Sequence, residues 1–179
     1  MHQFVFFVVR SVTDLDRTLL RLVFADVTKF LKVIYDAGDK SGCLLVQLPP
    51  STTVAAFGQF TNLLAVIADN TKRWKLAVEF RHPSWYVDEV YELLTANNAA
   101  MVLHDMPAAI PPMIETADFM YLRFHGPGER YSGSYDDGYL YEYSIYMTEW
   151  LGSGKAVYAY FNNTQGEALN NLQTLQKYL

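Results

Sequence analysis

Short apolar runs alternate with helical segments along the chain, and this alternation limits the fold more than any other feature. The runs are nearly continuous in apolar residues, without the in-out alternation of a half-exposed antiparallel strand. They occupy residues 4–9, 43–48, 76–80, 100–103, 119–124 and 156–161. Continuous runs of this kind are typical of parallel sheets that are covered on both faces. They therefore predict buried parallel strands, and from residue 43 onward we expect pairing between neighbours in chain order.

Segments with helical spacing lie between the apolar runs. Val87, Val90 and Leu94 recur at steps of three and four, which places them in one stripe on a helix. The same spacing occurs in residues 54–67 and 169–175. Because such a stripe packs on a sheet, the chain consists of repeated β-α units. These units build either an open doubly wound sheet or a barrel.

Length and composition agree with a single domain over residues 1–179. Hydrophobic residues make up 51% of the chain and charged residues 18%, which excludes a disordered polypeptide. The formal net charge of −5 argues against a surface that binds nucleic acid broadly, so an anion site has to be local. The first apolar run is far shorter than the ~20 residues of a membrane helix. We therefore expect a cytoplasmic protein that does not interact with membranes.

Polar side chains follow the strands directly, and they help to choose between the two architectures. They are Gln47, Glu79, Arg81, His82, His104, Asp105, Arg123, His125, Asn162 and Asn163. In a parallel barrel the carboxyl ends of all strands meet at one mouth, where active sites lie in nearly every characterised case. An open sheet gathers such residues only at its switch point. The pattern favours an α/β fold of the TIM type, a parallel β/α barrel with its site at the mouth.

These clusters resemble the YecE-like family, known as domain of unknown function 72. The matching segments are LVQLPP at 45–50, AVEFRHPSW at 77–85, TADFMYLRFHG at 116–126 and YAYFNN at 158–163, in this order. The resemblance implies a β/α barrel and carries no settled activity. The family's first two strands have no counterpart before Met1, so we expect an incomplete barrel with about six of eight strands. Arg10 and Asp14 also stand where the family has a lysine and a histidine.

Two arginine-containing strand ends predict an anion site. Glu79 and Arg81 point to the same side of their strand, so the two side chains should pair. Arg123 and His125 repeat this arrangement, and a guanidinium beside an imidazole suits a phosphate or carboxylate. We expect both arginines to bind the anion and His125 to act as the acid or base, oriented by Glu79 or by Asp105. The alternative is a salt-bridge network that only stabilises the barrel.

Other residues near the strand ends are candidate ligand contacts. They are Gln47, Trp85, Tyr135, Asn162 and Asn163. Trp85 could stack on a ring, and Tyr135 lies in a loop rich in glycine and serine that is a candidate lid. Asn162 and Asn163 follow the last strand, where one of them is expected to cap the next helix. The lone Cys43 lies in an apolar run and is expected in the core.

The residue types at the mouth favour a hydrolase that acts on an anionic, phosphorylated small molecule or a nucleic-acid fragment. The alternative is a non-catalytic barrel that binds a ligand or a partner, because no nucleophile motif is recognisable. A third reading is a relic whose remaining residues serve folding only. His104 and Asp105 can bind metals, but the HxH and HxxxH spacings are missing, so we expect neither a metal nor a cofactor. Unpaired edges at residues 4–9 and 156–161 predict either self-association through these edges or a distorted closure.

Overall fold

A parallel sheet of six strands forms the centre of what the computed structural model describes, residues 5–8, 27–32, 42–70, 74–128 and 131–179. The strands are β1 (Val5–Val8), β2 (Cys43–Gln47), β3 (Lys75–Glu79), β4 (Ala99–His104), β5 (Phe119–Phe124) and β6 (Ala156–Phe161). They lie in the sheet in chain order, and every neighbouring pair is parallel. This confirms the predicted incomplete β/α barrel and the predicted strand order.

Helices follow the strands, as the apolar stripes predict. They are α1 (residues 27–32), α2 (Phe57–Asn70), α3 (Asp88–Ala96), α4 (Asp137–Gly152) and α5 (Ala168–Tyr178). In α3 the stripe residues Val90 and Leu94 are fully buried, and two acidic residues in the first turn favour the helix amino terminus. Asp136 caps α4, because its carboxylate accepts from the Tyr139 amide at 2.9 Å. These amino termini fix where two loops of the barrel mouth end.

The two faces of the sheet differ in what they contact. One face packs on the helices, with Val46, Val78 and Phe80 buried among residues of α2 and α3. The opposite, inner face carries a separate apolar cluster of Cys43, Leu45, Ala77, Ala100, Val102, Phe119 and Tyr121. Burial raises the pKa of the Cys43 thiol to about 12, as expected for a core residue. Because side chains alternate along a strand, residues two positions beyond this cluster also face inward at the mouth.

The last strand is the least buried of the sheet. Its residues are exposed or half-buried along their whole length, whereas β4 is buried throughout. Within the described ranges, β1 and β6 each pair with one neighbour only. Self-association through these edges stays a prediction. None of the described helices is both long and apolar enough to span a bilayer.

Candidate functional site

The inward-facing polar residues lie in one layer at the carboxyl ends of the strands. The parallel register places Gln47 beside Glu79, and His104 beside Arg123. Arg123 is in turn beside Tyr160 on β6. This layer lies just beyond the inner apolar cluster, so its charges are shielded from water on that side. The predicted convergence at the mouth therefore brings side chains of β2, β3, β4 and β5 together.

Glu79 is the centre of this layer and is fully buried. Its two oxygens pair with Nε of Arg81 and with Nη1 of Arg123, whose side chains are 8% and 11% exposed. Burial raises the pKa of Glu79, but the charges of Arg123 and Arg81 outweigh burial and hold that pKa below its usual 4.5. Glu79 is therefore ionised at neutral pH. The expected Glu79–Arg81 pair is present, and Arg123 joins it.

Neutral acceptors hold the guanidinium of Arg123 in place. Gln47 Oε1 accepts from Arg123 Nη1 at 3.1 Å and from Arg81 Nη2 at 3.4 Å. Asn162, with its amide oxygen turned toward Arg123, accepts from Nη2 at 2.5 Å and from Nε at 2.9 Å. Gln47 and Asn162, both expected as ligand contacts, thus contact the arginines themselves. They orient the charge without neutralising it.

His125 connects the arginine cluster to a second carboxylate. Arg81 Nη2 lies 3.0 Å from His125 Nε2. A guanidinium can only donate, so Nε2 accepts and the ring hydrogen is on Nδ1. Nδ1 faces Asp105 Oδ1 at 3.4 Å, and the same oxygen accepts from the His125 amide at 2.8 Å. Burial raises the pKa of Asp105, but hydrogen bonds from His125 and Tyr135 lower it further than burial raises it.

Tyr135 lies behind Asp105 rather than over the mouth. Its hydroxyl donates to Asp105 Oδ2 and accepts from the amide of Gly126. The ring is 7% exposed, and burial together with the Asp105 charge raises the pKa of the phenol. Gly126 has φ +107°, and an added Cβ would lie 2.3 Å from the carbonyl of Ser132, so this turn requires glycine. Tyr135 is therefore a buried partner of the carboxylate that also lines the cleft described below, and its role as a ligand contact stays a prediction.

Asn163 stabilises the loops beside the site through buried hydrogen bonds. It is fully buried, and its amide donates at 3.0 Å both to the carbonyl of Gly133 and to Asn171 Oδ1. Asn171 in turn donates to Ser134 Oγ at 3.0 Å. This network attaches the loop before α4 to α5. The sequence analysis gives Asn171 no role at the site, although a polar residue four positions before Leu175 in the apolar stripe of α5 was an available signal.

Trp85 corrects an expectation. Its ring stacks on Phe80 with centroids 5.0 Å apart and meets Phe60 edge-on at 5.2 Å, on the helix side of the sheet. The indole nitrogen donates to the carbonyl of Thr52 at 2.7 Å. The residue has 0% exposure, because Pro83–Trp85 turns back over β3. Trp85 therefore anchors the core and has no surface for a ligand.

His104 has a structural role. Its Nδ1 accepts from the Met106 amide at 3.2 Å, so Nε2 carries the hydrogen and donates to the carbonyl of Phe80 at 2.8 Å. Burial lowers the pKa of His104, which keeps the ring neutral in this bridge between β4 and β3. Among the described residues, no three His, Cys, Asp or Glu side chains come together in a group that could hold a metal ion. Arg10 and Asp14 lie outside the described residues.

A cleft of about 510 Å³ opens directly above His125 and Asp105. It lies between the loop after β4 and the loop after β5. Its lining is Asp105, Met106, Pro107, Ile110, His125, Gly126, Pro127, Gly128, Tyr131, Ser134, Tyr135, Asp136 and Tyr139. The cleft has the size typical of small-molecule sites, and it borders His125, which is 2% exposed, and Asp105, whose side chain is 13% exposed.

Residues 2–179 match the model of the family described as "Protein of unknown function DUF72". The chain belongs to the DUF72 family. The resemblance of the strand-end motifs is therefore confirmed over nearly the whole chain. No curated protein matches the chain.

Solved DUF72 structures share the fold. A DUF72 family protein of Enterococcus faecalis is 21% identical, with a TM-score of 0.72 over 87% of this chain and 66% of that chain. A DUF72 family protein of Thermotoga maritima is 27% identical, with a TM-score of 0.59 over 86% of this chain and 62% of that chain. The chain thus spans about two thirds of the length of these DUF72 structures or slightly less.

Proposed function

We propose that this DUF72 protein is a hydrolase that acts on a phosphorylated or otherwise anionic small molecule at the barrel mouth. The observation that carries the proposal is the series of contacts from Asp105 through His125 to Arg81. A carboxylate orients an imidazole, and a guanidinium faces the other ring nitrogen. This arrangement combines an oriented acid or base with a group that binds anions.

The charges of the inner layer support an anionic ligand. Arg81 and Arg123 carry two positive charges and Glu79 carries one negative charge, which leaves one positive charge in the layer. Asp105 lies on the far side of His125 from Arg81. A bound anion interacts with the arginines at short range, whereas surface carboxylates are screened beyond ~8 Å at physiological salt. The net charge of −5 therefore does not prevent anion binding at this point.

Anion binding and proton transfer are coupled in the proposal. An anion that takes the Nη2 hydrogens of Arg81 frees the lone pair of His125 Nε2. Nε2 then accepts a proton from a water molecule whose oxygen bonds to the phosphorus or carbonyl centre, and Asp105 stabilises the imidazolium. The bond to the leaving oxygen breaks, and that oxygen takes the proton from Nε2. His125 is thereby returned to its starting state.

A panel of phosphomonoesters and phosphodiesters, including a dinucleotide, tests the proposal. His125→Asn should lower kcat/KM about 10²- to 10⁴-fold, the usual contribution of a general acid or base. His82→Asn is the matched control, because His82 caps the turn after β3 through an acceptor that Asn also supplies. Absence of wild-type turnover across the panel, or equal activity of the two variants, would contradict a hydrolase.

A non-catalytic binding barrel is the second candidate. The observation that favours it is the Arg81 hydrogen bond, because it occupies the nitrogen that a base needs. In that case Arg81 and Arg123 bind the anion while His125 only positions Arg81. Phosphate binding without turnover, unchanged in extent when His125 is replaced by Gln, would support this candidate over the first.

A further inference from the structure

We infer that the anionic group of the ligand is attached to a flat aromatic ring, and that this ring binds against Tyr131 in the cleft. The inference rests on the proposed function for its anion, and it adds the chemical class of the remainder of the molecule. His125 lines the cleft of about 510 Å³ and contacts Arg81, so the cleft begins next to the arginines that bind the anion. The body of a ligand whose anionic group lies against the arginines should therefore contact the cleft.

Tyr131 presents a ring beside the proposed acid or base. Its ring centroid lies 5.5 Å from that of His125, and the residue is 44% exposed. The backbone is left-handed, with φ +63°, which is a strained conformation for a residue other than glycine. The carbonyl of Tyr131 accepts from the Gln165 amide at 3.1 Å, which helps to hold this conformation. Tyr131 thus presents an exposed aromatic ring to the cleft that it lines.

An exposed aliphatic side chain lines the same cleft on the loop after β4. Ile110 is 64% exposed and lines the cleft. It lies between Ala109 and Pro111, both buried, and the carbonyl of Ala109 accepts from the Tyr86 hydroxyl at 2.5 Å. The position of Ile110 is therefore fixed by the fold. Tyr131 and Ile110 together supply apolar surface that a flat ring can cover.

The polar side chains of the cleft favour a ring over a sugar-like body. Asp136 Oδ1 is engaged as the cap of α4, and Ser134 Oγ accepts from Asn171. Asp105 Oδ2 accepts from Tyr135. These groups already have partners within the fold, so an aromatic ring that offers them no hydrogen bond leaves them satisfied. Aromatic contacts with Tyr131 also gain from ring-ring geometry.

Two matched esters test the inference by titration calorimetry. Benzyl phosphate and cyclohexylmethyl phosphate carry the same charge and nearly the same leaving alcohol, but only the first has an aromatic ring. Wild-type protein should bind benzyl phosphate about 2- to 10-fold more tightly, the range expected for one aromatic contact. Tyr131→Leu should reduce this ratio to about one.

Tyr141→Leu is the matched control, because Tyr141 is exposed on α4 and lies outside the cleft lining. Tyr141→Leu should leave the ratio of the two affinities unchanged.

Two outcomes separate this inference from the proposed function. If wild-type protein binds inorganic phosphate but binds the two esters equally, the inferred aromatic ring is refuted and the proposed function stands. If phosphate does not bind, the proposed function fails, and NMR titration with benzyl alcohol and cyclohexylmethanol tests the ring alone. A preference for benzyl alcohol that Tyr131→Leu removes supports the ring, and equal or absent binding overturns it.

Discussion

Replacing Glu79 by Gln removes the carboxylate that lies between two buried guanidiniums. The inner layer would then carry two positive charges instead of one, with the Arg81 and Arg123 side chains still only 8% and 11% exposed. Removing one partner of a buried ion pair costs about 3–5 kcal/mol, because the remaining charge stays desolvated. That cost is a large part of the ~5–15 kcal/mol by which domains are stable. For a chain of 179 residues it corresponds to a fall in Tm of roughly 6–20 °C.

Urea denaturation followed by circular dichroism measures this change. The double variant Glu79→Gln/Arg81→Gln restores a single positive charge, so it should lose less stability than the sum of the single variants by at least about 1 kcal/mol. A loss of less than about 1 kcal/mol in the free energy of unfolding for Glu79→Gln would refute the reasoning. So would a double variant whose loss equals the sum of the two single losses, because the Glu79 and Arg81 charges would then not interact.

The pH dependence of stability gives an independent readout of Glu79. Its folded-state pKa lies below the usual 4.5, because the neighbouring arginine charges outweigh the effect of burial. The stability from this depressed pKa is fully present above the unfolded-state value and is lost as pH falls through the folded-state value. Glu79→Gln should therefore flatten the acid side of the stability curve below about pH 4.5. If Glu79→Gln leaves the dependence of stability on pH below about 4.5 unchanged, a carboxylate other than Glu79 causes the loss of stability in acid.

Three further predictions concern the mouth and the sheet edges. Phosphate should raise Tm more than chloride at equal ionic strength, and Arg123→Ala should remove the difference in a thermal melt; an equal shift by both salts would exclude a local anion site. Tyr135→Phe leaves the Gly126 amide and one oxygen of Asp105 without this hydroxyl, so urea denaturation should show a cost of about 1–3 kcal/mol. In the folded protein, Tyr135→Phe should lower kcat more than it raises KM. Replacing a tyrosine with only a structural role would leave both kcat and KM unchanged. Light scattering should detect self-association through the edge of β6, and a monodisperse monomer at high concentration would contradict that.

Much of the fold follows from local rules that act within a few residues. Continuous apolar runs with helical stripes between them identify β2 to β6, and the residues of β2 to β5 are nearly all buried, whereas those of β6 are exposed or half-buried. The side of the strand on which Glu79 and Arg81 lie follows from the two-residue repeat alone. The position of Arg123 and His125 at the same mouth follows from the carboxyl ends of parallel strands meeting there. These features need no knowledge of the loops.

The roles of the loop residues depend on contacts that no local pattern contains. Trp85 follows Pro83 and Ser84 after a strand, which suggests exposure, yet a single turn carries it back onto Phe80. Tyr135 lies in a glycine- and serine-rich loop, but Asn163 and Asn171 fix that loop so that its hydroxyl reaches Asp105. Such partners lie about 30 residues apart in sequence, so only the assembled loops reveal them.

Phosphate titration by calorimetry tests the central claim, that the arginines at the barrel mouth bind an anion. Arg81→Met is the informative variant, because Glu79 keeps Arg123 as a partner and the remaining pair is neutral. Lys155→Met removes the same charge at the opposite end of the sheet, where Lys155 pairs with Glu115. The account predicts that wild-type protein and Lys155→Met bind phosphate, and that Arg81→Met, folded as judged by circular dichroism, does not. Phosphate binding by Arg81→Met equal to that of wild type, or no binding by wild type, would contradict it.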